Sequence, residues 1–209
     1  TMAEDVAVLC KGCLHCLRCK GSNTEPRPWL SIPPAEGPNH TVHFDYLFIR
    51  KTATEEEPEY VLVLIDGYSR FVRMTAHKHA NAENTARALM EWMGMFGITS
   101  RWVSDMGRHF LNQTLCRLRY HLGTVHHFTA AYAPWSNGLV ERANREIVQL
   151  LSALVSESRI ERGEWPVLLP VVNNALNQIP SRTLGGKAPV ELFLGRQVRS
   201  QLDTIITKK

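Results

Sequence analysis

The sequence predicts an α/β fold, a mixed five-stranded sheet flanked by helices. Three observations predict it. Three β-rich runs follow one another before any helical pattern, and strand and helix then alternate. The apolar run at residues 60–65 (YVLVLI) has the composition of a strand covered on both faces. A three-strand antiparallel meander joined by parallel strands satisfies all three.

Residues 1–24 are rich in Cys and Lys/Arg and show no periodicity. Residues 25–40 hold five of the eleven prolines (Pro26, Pro28, Pro33, Pro34, Pro38) and read as a linker, since proline suits neither helix interior nor central strand. A folded core is therefore expected over 41–200, with 201–209 as a tail. Residues 41–50 (TVHFDYLFIR) read as the first strand. Glu55, Glu56, Glu57 and Pro58 mark a solvated loop before the second. Asp66-Gly67 supplies a turn, and residues 70–76 return as the third strand.

Asn81 is the expected N-cap of a helix with Ala82, Ala86, Leu89, Met90, Met93 and Phe96 on its inner face, stopped by Gly97. Residues 98–104 form a strand that ends at Asp105. Residues 108–122 look helical, and 125–128 form a fifth strand. The longest helix is expected over 136–155, burying Leu139, Ala143, Ile147, Leu150, Leu151 and Leu154. Pro166 opens another, with Val167, Leu168, Val171, Val172, Ala175 and Leu176 inward, and Pro180 closes it. A last short helix covers 189–194.

Composition excludes several classes. With 209 residues, 44% apolar and 21% charged, the chain can bury a core, and wholesale disorder is out. No run of 18 apolar residues predicts a membrane helix. Glu4 and Asp5 stand where a secretory signal would carry basic residues, so none is expected. Cys10, Cys13, Cys16 and Cys19 crowd into ten residues, which is no disulfide scaffold and implies a reducing compartment. Cys116 reads as a buried apolar residue. The net charge of +4 divides into −2 over residues 1–100 and +6 over 101–209, mild support for a polyanionic partner.

Asp45 stands mid-strand among Phe44, Tyr46 and Phe48, where a carboxylate is costly unless paired, hydrogen-bonded or metal-bound. Asp105 ends a strand, the position where mixed sheets place chemistry. Glu141 lies in the first turns of the long helix, 35 residues after Asp105. Three carboxylates meeting at one point would require divalent cations, and oxygen ligands suit Mg²⁺ or Mn²⁺. Asp105 also reads as a turn residue, and Glu141 as an exposed partner of Arg145 at i+4. Asp45 is the hardest to dismiss.

Two stretches carry a resemblance. They are Val103-Ser104-Asp105-Met106-Gly107-Arg108-His109-Phe110 and Tyr132-Ala133-Pro134-Trp135-Ser136-Asn137-Gly138-Leu139-Val140-Glu141-Arg142-Ala143-Asn144-Arg145. With the 35-residue spacing, they resemble the DDE core of retroviral and LTR-retrotransposon integrases, and among these the gypsy-type elements. His43-Phe44-Asp45 resembles the first acidic motif, and Asp66-Gly67-Tyr68-Ser69-Arg70 the Asp-x-x-Ser turn after the second strand. The run from Ala175 to Gly195 is similar to the end of these cores.

The resemblance implies a ribonuclease-H-like fold, with Asp45, Asp105 and Glu141 as catalytic residues that ligate two Mg²⁺ (or Mn²⁺) ions. It implies 3′-end processing of DNA followed by strand transfer, and hence DNA partners (element ends and target), self-association and nuclear action. No membrane and no small-molecule substrate enter. Asp66 competes with Asp45 for the first acid, but its turn role suffices. Asn137, Gly138, Arg142 and Arg145 are the expected DNA-contacting residues. Met106 departs from the polar residue usual beside the second acid. Trp135 is expected to pack rather than stack on a base.

Cys13 and Cys16 form a C-x₂-C knuckle suited to Zn²⁺. In the resembled family such a pair completes a His-His-Cys-Cys module, yet no His precedes Cys13 here. Residues 1–24 therefore read as a truncated remnant of that module. An improvised site on all four cysteines is the lesser alternative. An iron–sulfur cluster is disfavoured by spacing and by the lack of a following Pro. Two other functions stay open: a DNA-binding remnant without turnover, and ribonuclease H itself, which the helix entry and the 35-residue spacing disfavour.

Overall fold

The structure, a computed structural model, describes residues 32–49, 57–129, 138–158 and 163–198. The cysteine cluster, residues 25–31 of the proline-rich segment, Trp135, Asn137 and the 201–209 tail lie outside the described residues.

Five strands form one sheet in the order β3-β2-β1-β4-β5. They are β1 (Thr41–Phe48), β2 (Tyr60–Asp66), β3 (Val72–His77), β4 (Arg101–Ser104) and β5 (Val125–Phe128). β1 pairs antiparallel with β2, and β2 with β3, which is the predicted meander. β4 lies parallel to β1 and to β5. The helices are α1 (Ala82–Phe96), α2 (Gln113–Leu122), α3 (Gly138–Ser158), α4 (Leu169–Gln178) and α5 (Pro189–Leu194). Among the described residues, no helix is long and apolar enough to cross a membrane.

Strand alternation divides the core into two layers. Val42, Phe44, Leu62 and Leu64 point to one face and pack with Ala86, Leu89 and Trp92 of α1 and with Leu115 of α2. Val61, Val63, Ile65, Val72 and Met74 point to the other and meet Val140, Ile147 and Leu151 of α3, together with Trp165, Leu169 and Val172. β2 is thus apolar on both faces because helices cover both. His43 and Asp45 alternate with Val42 and Phe44, and so belong to the α3 side. Each fully buried aliphatic side chain contributes about 1.5–3 kcal/mol through removal from water.

Local chemistry sets the helix ends. The Asn81 side chain accepts a hydrogen bond from the Asn84 N–H, and the Asn112 side chain one from the Leu115 N–H. α2 therefore starts at Gln113 rather than near 108, because residues 107–112 are spent on turns. Pro166 opens a 3₁₀ turn (Trp165–Leu168), and α4 begins only at Leu169.

Several predicted inner faces are rotated. Met90 is 52% exposed while Thr85, Ala88 and Trp92 are buried. Val167 and Val171 face solvent while Leu168, Leu169 and Val172 are buried. Cys116, expected inside, is an exposed free thiol.

Candidate active site

Parallel pairing of β1 with β4 aligns Thr41 with Arg101, Val42 with Trp102 and His43 with Val103. Continued two residues, that register carries Asp45, in the middle of β1, level with Asp105, just past the C-terminal end of β4. Asp105 is fixed from several sides. The buried Ser104 donates through Oγ to the Asp105 carbonyl at 2.9 Å, and Thr129 N donates to the Ser104 carbonyl at 2.8 Å. With the Ser104 proton committed, His126 Nε2, 2.9 Å from the same Oγ, must be the donor. The Asp105 carboxylate accepts from Gly107 N at 2.9 Å. Gly107 packs closely here: a Cβ there would lie 2.6 Å from His109 Cε1 and 3.0 Å from Asp105 Oδ1, so a larger residue would displace the His109 ring.

Asp45 accepts from Tyr46 N at 2.8 Å through Oδ1 and from Asn144 Nδ2 at 3.2 Å through Oδ2. Asn144 reaches it from α3, one turn beyond Glu141. The Asn144 Oδ1 is buried with no hydrogen-bond partner. Burial raises the Asp45 pKa to about 7, and the charges of Asp105 and Glu141 add to the rise, so the three carboxylates repel one another through this site. None of the three forms an ion pair among the described residues, and Glu141 does not bond Arg145.

The bare side chains do not close into a ligand set. Among the described residues, no three His, Cys, Asp or Glu groups are close enough to hold a metal ion. The donor chemistry still suits a hard cation. The Asp45 and Asp105 carboxylates are held by hydrogen bonds but lack a counter-charge, and a buried amide oxygen is left unsatisfied beside Asp45.

Asp66 is elsewhere. It pairs with Val42 near the start of β1 and is fully buried. Its oxygens accept from Asn39 N at 2.8 Å, Ser69 N at 2.7 Å and Ser69 Oγ at 2.6 Å. It locks the β2–β3 turn, as the sequence suggested. Gly138 opens α3, and Arg142 Nε donates to its carbonyl at 3.0 Å. Arg142 and Arg145 are exposed. His43, two residues before Asp45, is kept neutral: burial first, then Arg70 and Arg101, lower its pKa to about 4. Sequence reasoning quoted Asn144 without giving it a role, although its i+3 spacing from Glu141 places both on one helix face. Nothing local in the sequence pointed to the buried Ser104–His126 support.

The sequence model of the integrase core domain matches residues 35–134. This chain carries an integrase catalytic core of the DDE superfamily. The core is 33% identical over 138 residues, or 66% of the chain, to the Gag-Pol polyprotein of feline leukemia virus. It spans between 8% and 15% of the length of the first five curated relatives it matches. Among solved structures, it resembles the HTLV-2 integrase catalytic core domain in complex with magnesium, with a TM-score of 0.63 and 21% identity. That match covers 76% of this chain and 99% of the other. It also resembles a simian T-cell lymphotropic virus intasome in complex with the PP2A regulatory subunit B56 gamma, with a TM-score of 0.70 and 23% identity. There 96% of this chain and 69% of the other are covered. The integrase core therefore has the ribonuclease-H-like fold expected from its motifs.

Proposed function

We propose that this integrase core is a DNA polynucleotidyl transferase of a gypsy-type retrotransposon, processing 3′ ends and transferring strands. One observation carries the reading: Asp45 on β1 has its pKa raised by burial first and then by the charges of Asp105, at the end of β4, and Glu141, on α3, and none of the three forms an ion pair among the described residues. These three are the proposed catalytic residues, and they would hold two Mg²⁺ or Mn²⁺ ions. When bound, such ions supply Lewis-acid activation of an attacking oxygen and neutralise charge on the leaving one. The chain's own residues do the rest. Asn144 orients Asp45, Gly107 N and Ser104 fix Asp105, and the helical register of α3 presents Glu141. Asp45 must be deprotonated to ligate, so a cation and a proton would compete for it. Gly138, Arg142 and Arg145, with Asn137, are proposed to contact the DNA backbone. Self-association and nuclear action follow from the same reading. So does a division into a Cys-rich segment with Cys13 and Cys16 as zinc ligands, a linker and this core.

A second reading, a DNA-binding module without turnover, is favoured by the open spacing of the bare ligands. A strand-transfer and disintegration assay in Mg²⁺ or Mn²⁺ separates the two, comparing the parent with Glu141→Gln. Joined product from the parent and none from the variant is expected. Equal background from two folded proteins would sink the enzyme reading.

A further inference from the structure

The sequence between Asp105 and Glu141 contains no Asp or Glu, yet it holds three arginines and four histidines. Within it, α2 is a helix with one buried residue, Leu115, and an outer face open to solvent. The C-terminal half of that face borders a groove of about 590 Å³, whose lining includes Cys116, Arg117, Arg119, Tyr120, His121 and Thr124. The groove lies toward the end of the parallel strands opposite the carboxylates. β5 starts just beyond it at Val125, which pairs with Arg101 at the start of β4. Asp105 follows the other end of β4, about 13 Å further along the strand. The groove is thus separate from the acidic site.

Its cations have no counter-charge. No lining residue is acidic, and neither Arg117 nor Arg119 forms an ion pair among the described residues. Arg119 Nη2 donates to the Cys116 Sγ at 3.8 Å, a weak bond that sets the guanidinium beside the groove. Basic residues at a helix C-terminus offset the macrodipole, but that end carries only about half a unit charge. The helix cap also spends the Arg119 carbonyl on Gly123 N and Thr124 N and the Tyr120 carbonyl on Gly123 N. Two arginines exceed what remains. Tyr120 is the second observation. It is 83% exposed, and His121 meets it at 5.8 Å with the ring planes 76° apart, so at least one face of the phenol stays open.

Guanidiniums bond phosphate oxygens, and an open aromatic face gives any base a surface to stack on. An acidic peptide would answer the arginines but leave the tyrosine face unused. A nucleic acid uses both, and a base can stack on Tyr120 only where it is unpaired. We propose that the groove at the C-terminal end of α2 binds a single-stranded stretch of nucleic acid, with Tyr120 stacked on a base and Arg117 and Arg119 on phosphates beside it. The groove is a second binding surface, and it does not rest on turnover at the acidic site.

The test is binding of a labelled oligothymidylate, followed by fluorescence anisotropy across a KCl series in EDTA. The proteins are the parent, Tyr120→Ala, Tyr120→Trp and the double variant Arg117→Gln/Arg119→Gln, each shown to be folded by its thermal transition. Tyr120→Ala should bind about tenfold more weakly with the salt slope unchanged, since stacking releases no counterions. Tyr120→Trp should keep the affinity. The double variant should lower the slope of log K against log salt by about 1.4, the share of two single-strand phosphate contacts. A blunt duplex should bind Tyr120→Ala as well as it binds the parent. Unchanged affinity and slope in the folded variants overturn the proposal, as does a folded parent that binds no single strand. Displacement of the oligonucleotide by a poly-glutamate peptide, with Tyr120→Ala silent, would assign the groove to an acidic protein segment and overturn it equally.

Discussion

At the scale of single residues, Asp45 is the group most at odds with its surroundings. Its folded pKa of about 7 lies above the ordinary carboxylate value, so the folded, metal-free chain binds a proton that the unfolded chain releases. This contribution to stability is complete below the ordinary carboxylate value and is lost as pH rises through about 7. Asp45→Asn should therefore raise the melting temperature at pH 8 in EDTA. It should also abolish any stabilisation of the folded chain by Mg²⁺, both read by thermal denaturation. A variant that melts lower than the parent in EDTA would remove the repulsion argument. Asp45 stood out in the sequence because an acid among Phe44, Tyr46 and Phe48 is the hardest of the three to dismiss, and the structure finds it buried and hydrogen-bonded. Asp66 was also correctly read as a turn residue. The partnership of Asn144 with Asp45 was not legible, because it joins positions 99 apart in the chain.

At the scale of elements, β3 is hydrogen-bonded to α4 through one side chain. Asn177 is buried; it donates through Nδ2 to the Val72 carbonyl and accepts from Val72 N, both at 2.7 Å. It substitutes for a missing neighbour strand at the sheet edge. Asn177→Ala would strand two backbone groups, each costing about 1–3 kcal/mol when left unsatisfied. A loss of about 2 kcal/mol or more in urea denaturation is expected, and a change within experimental error would mean that water replaces the amide. The strands were largely readable because β-formers dominate them and turns separate them. Helix faces were less so. Met90 and Val167 fit an apolar stripe as well as their neighbours do, and only packing against Trp92 or Leu168 decides which phase is buried. Cys116 erred in the same way, since a ten-residue helix with Leu115 as its single buried residue offers little periodicity.

At the scale of the whole molecule, two histidines are carried neutral inside the fold. His126 contacts Phe44, Trp102 and Phe128, and burial, then Arg119 and His127, lower its pKa to about 4. Between that value and the ordinary histidine value the unfolded chain binds the proton and the folded chain does not. Stability contributed by neutral His126 is therefore present at neutral pH and lost as pH falls from about 6.5 toward about 4. From pH 7 to pH 5 this amounts to about 2 kcal/mol for one such group. His126→Gln keeps a donor for Ser104, and its stability should fall less over that interval, by about that amount. Parallel pH profiles for parent and variant would contradict the assignment. His43 should contribute in the same direction.

The acidic site has no local precursor. Asp45 reaches the level of Asp105 only through a parallel pairing that must wait for the whole of α1 to cross over, and Asn144 and Glu141 arrive later still on α3. During synthesis the first carboxylate is threaded out long before its partners. On the proposed reading, a nascent or interrupted chain holds no assembled cutting centre, and the capacity to break DNA would switch on only with α3 in place.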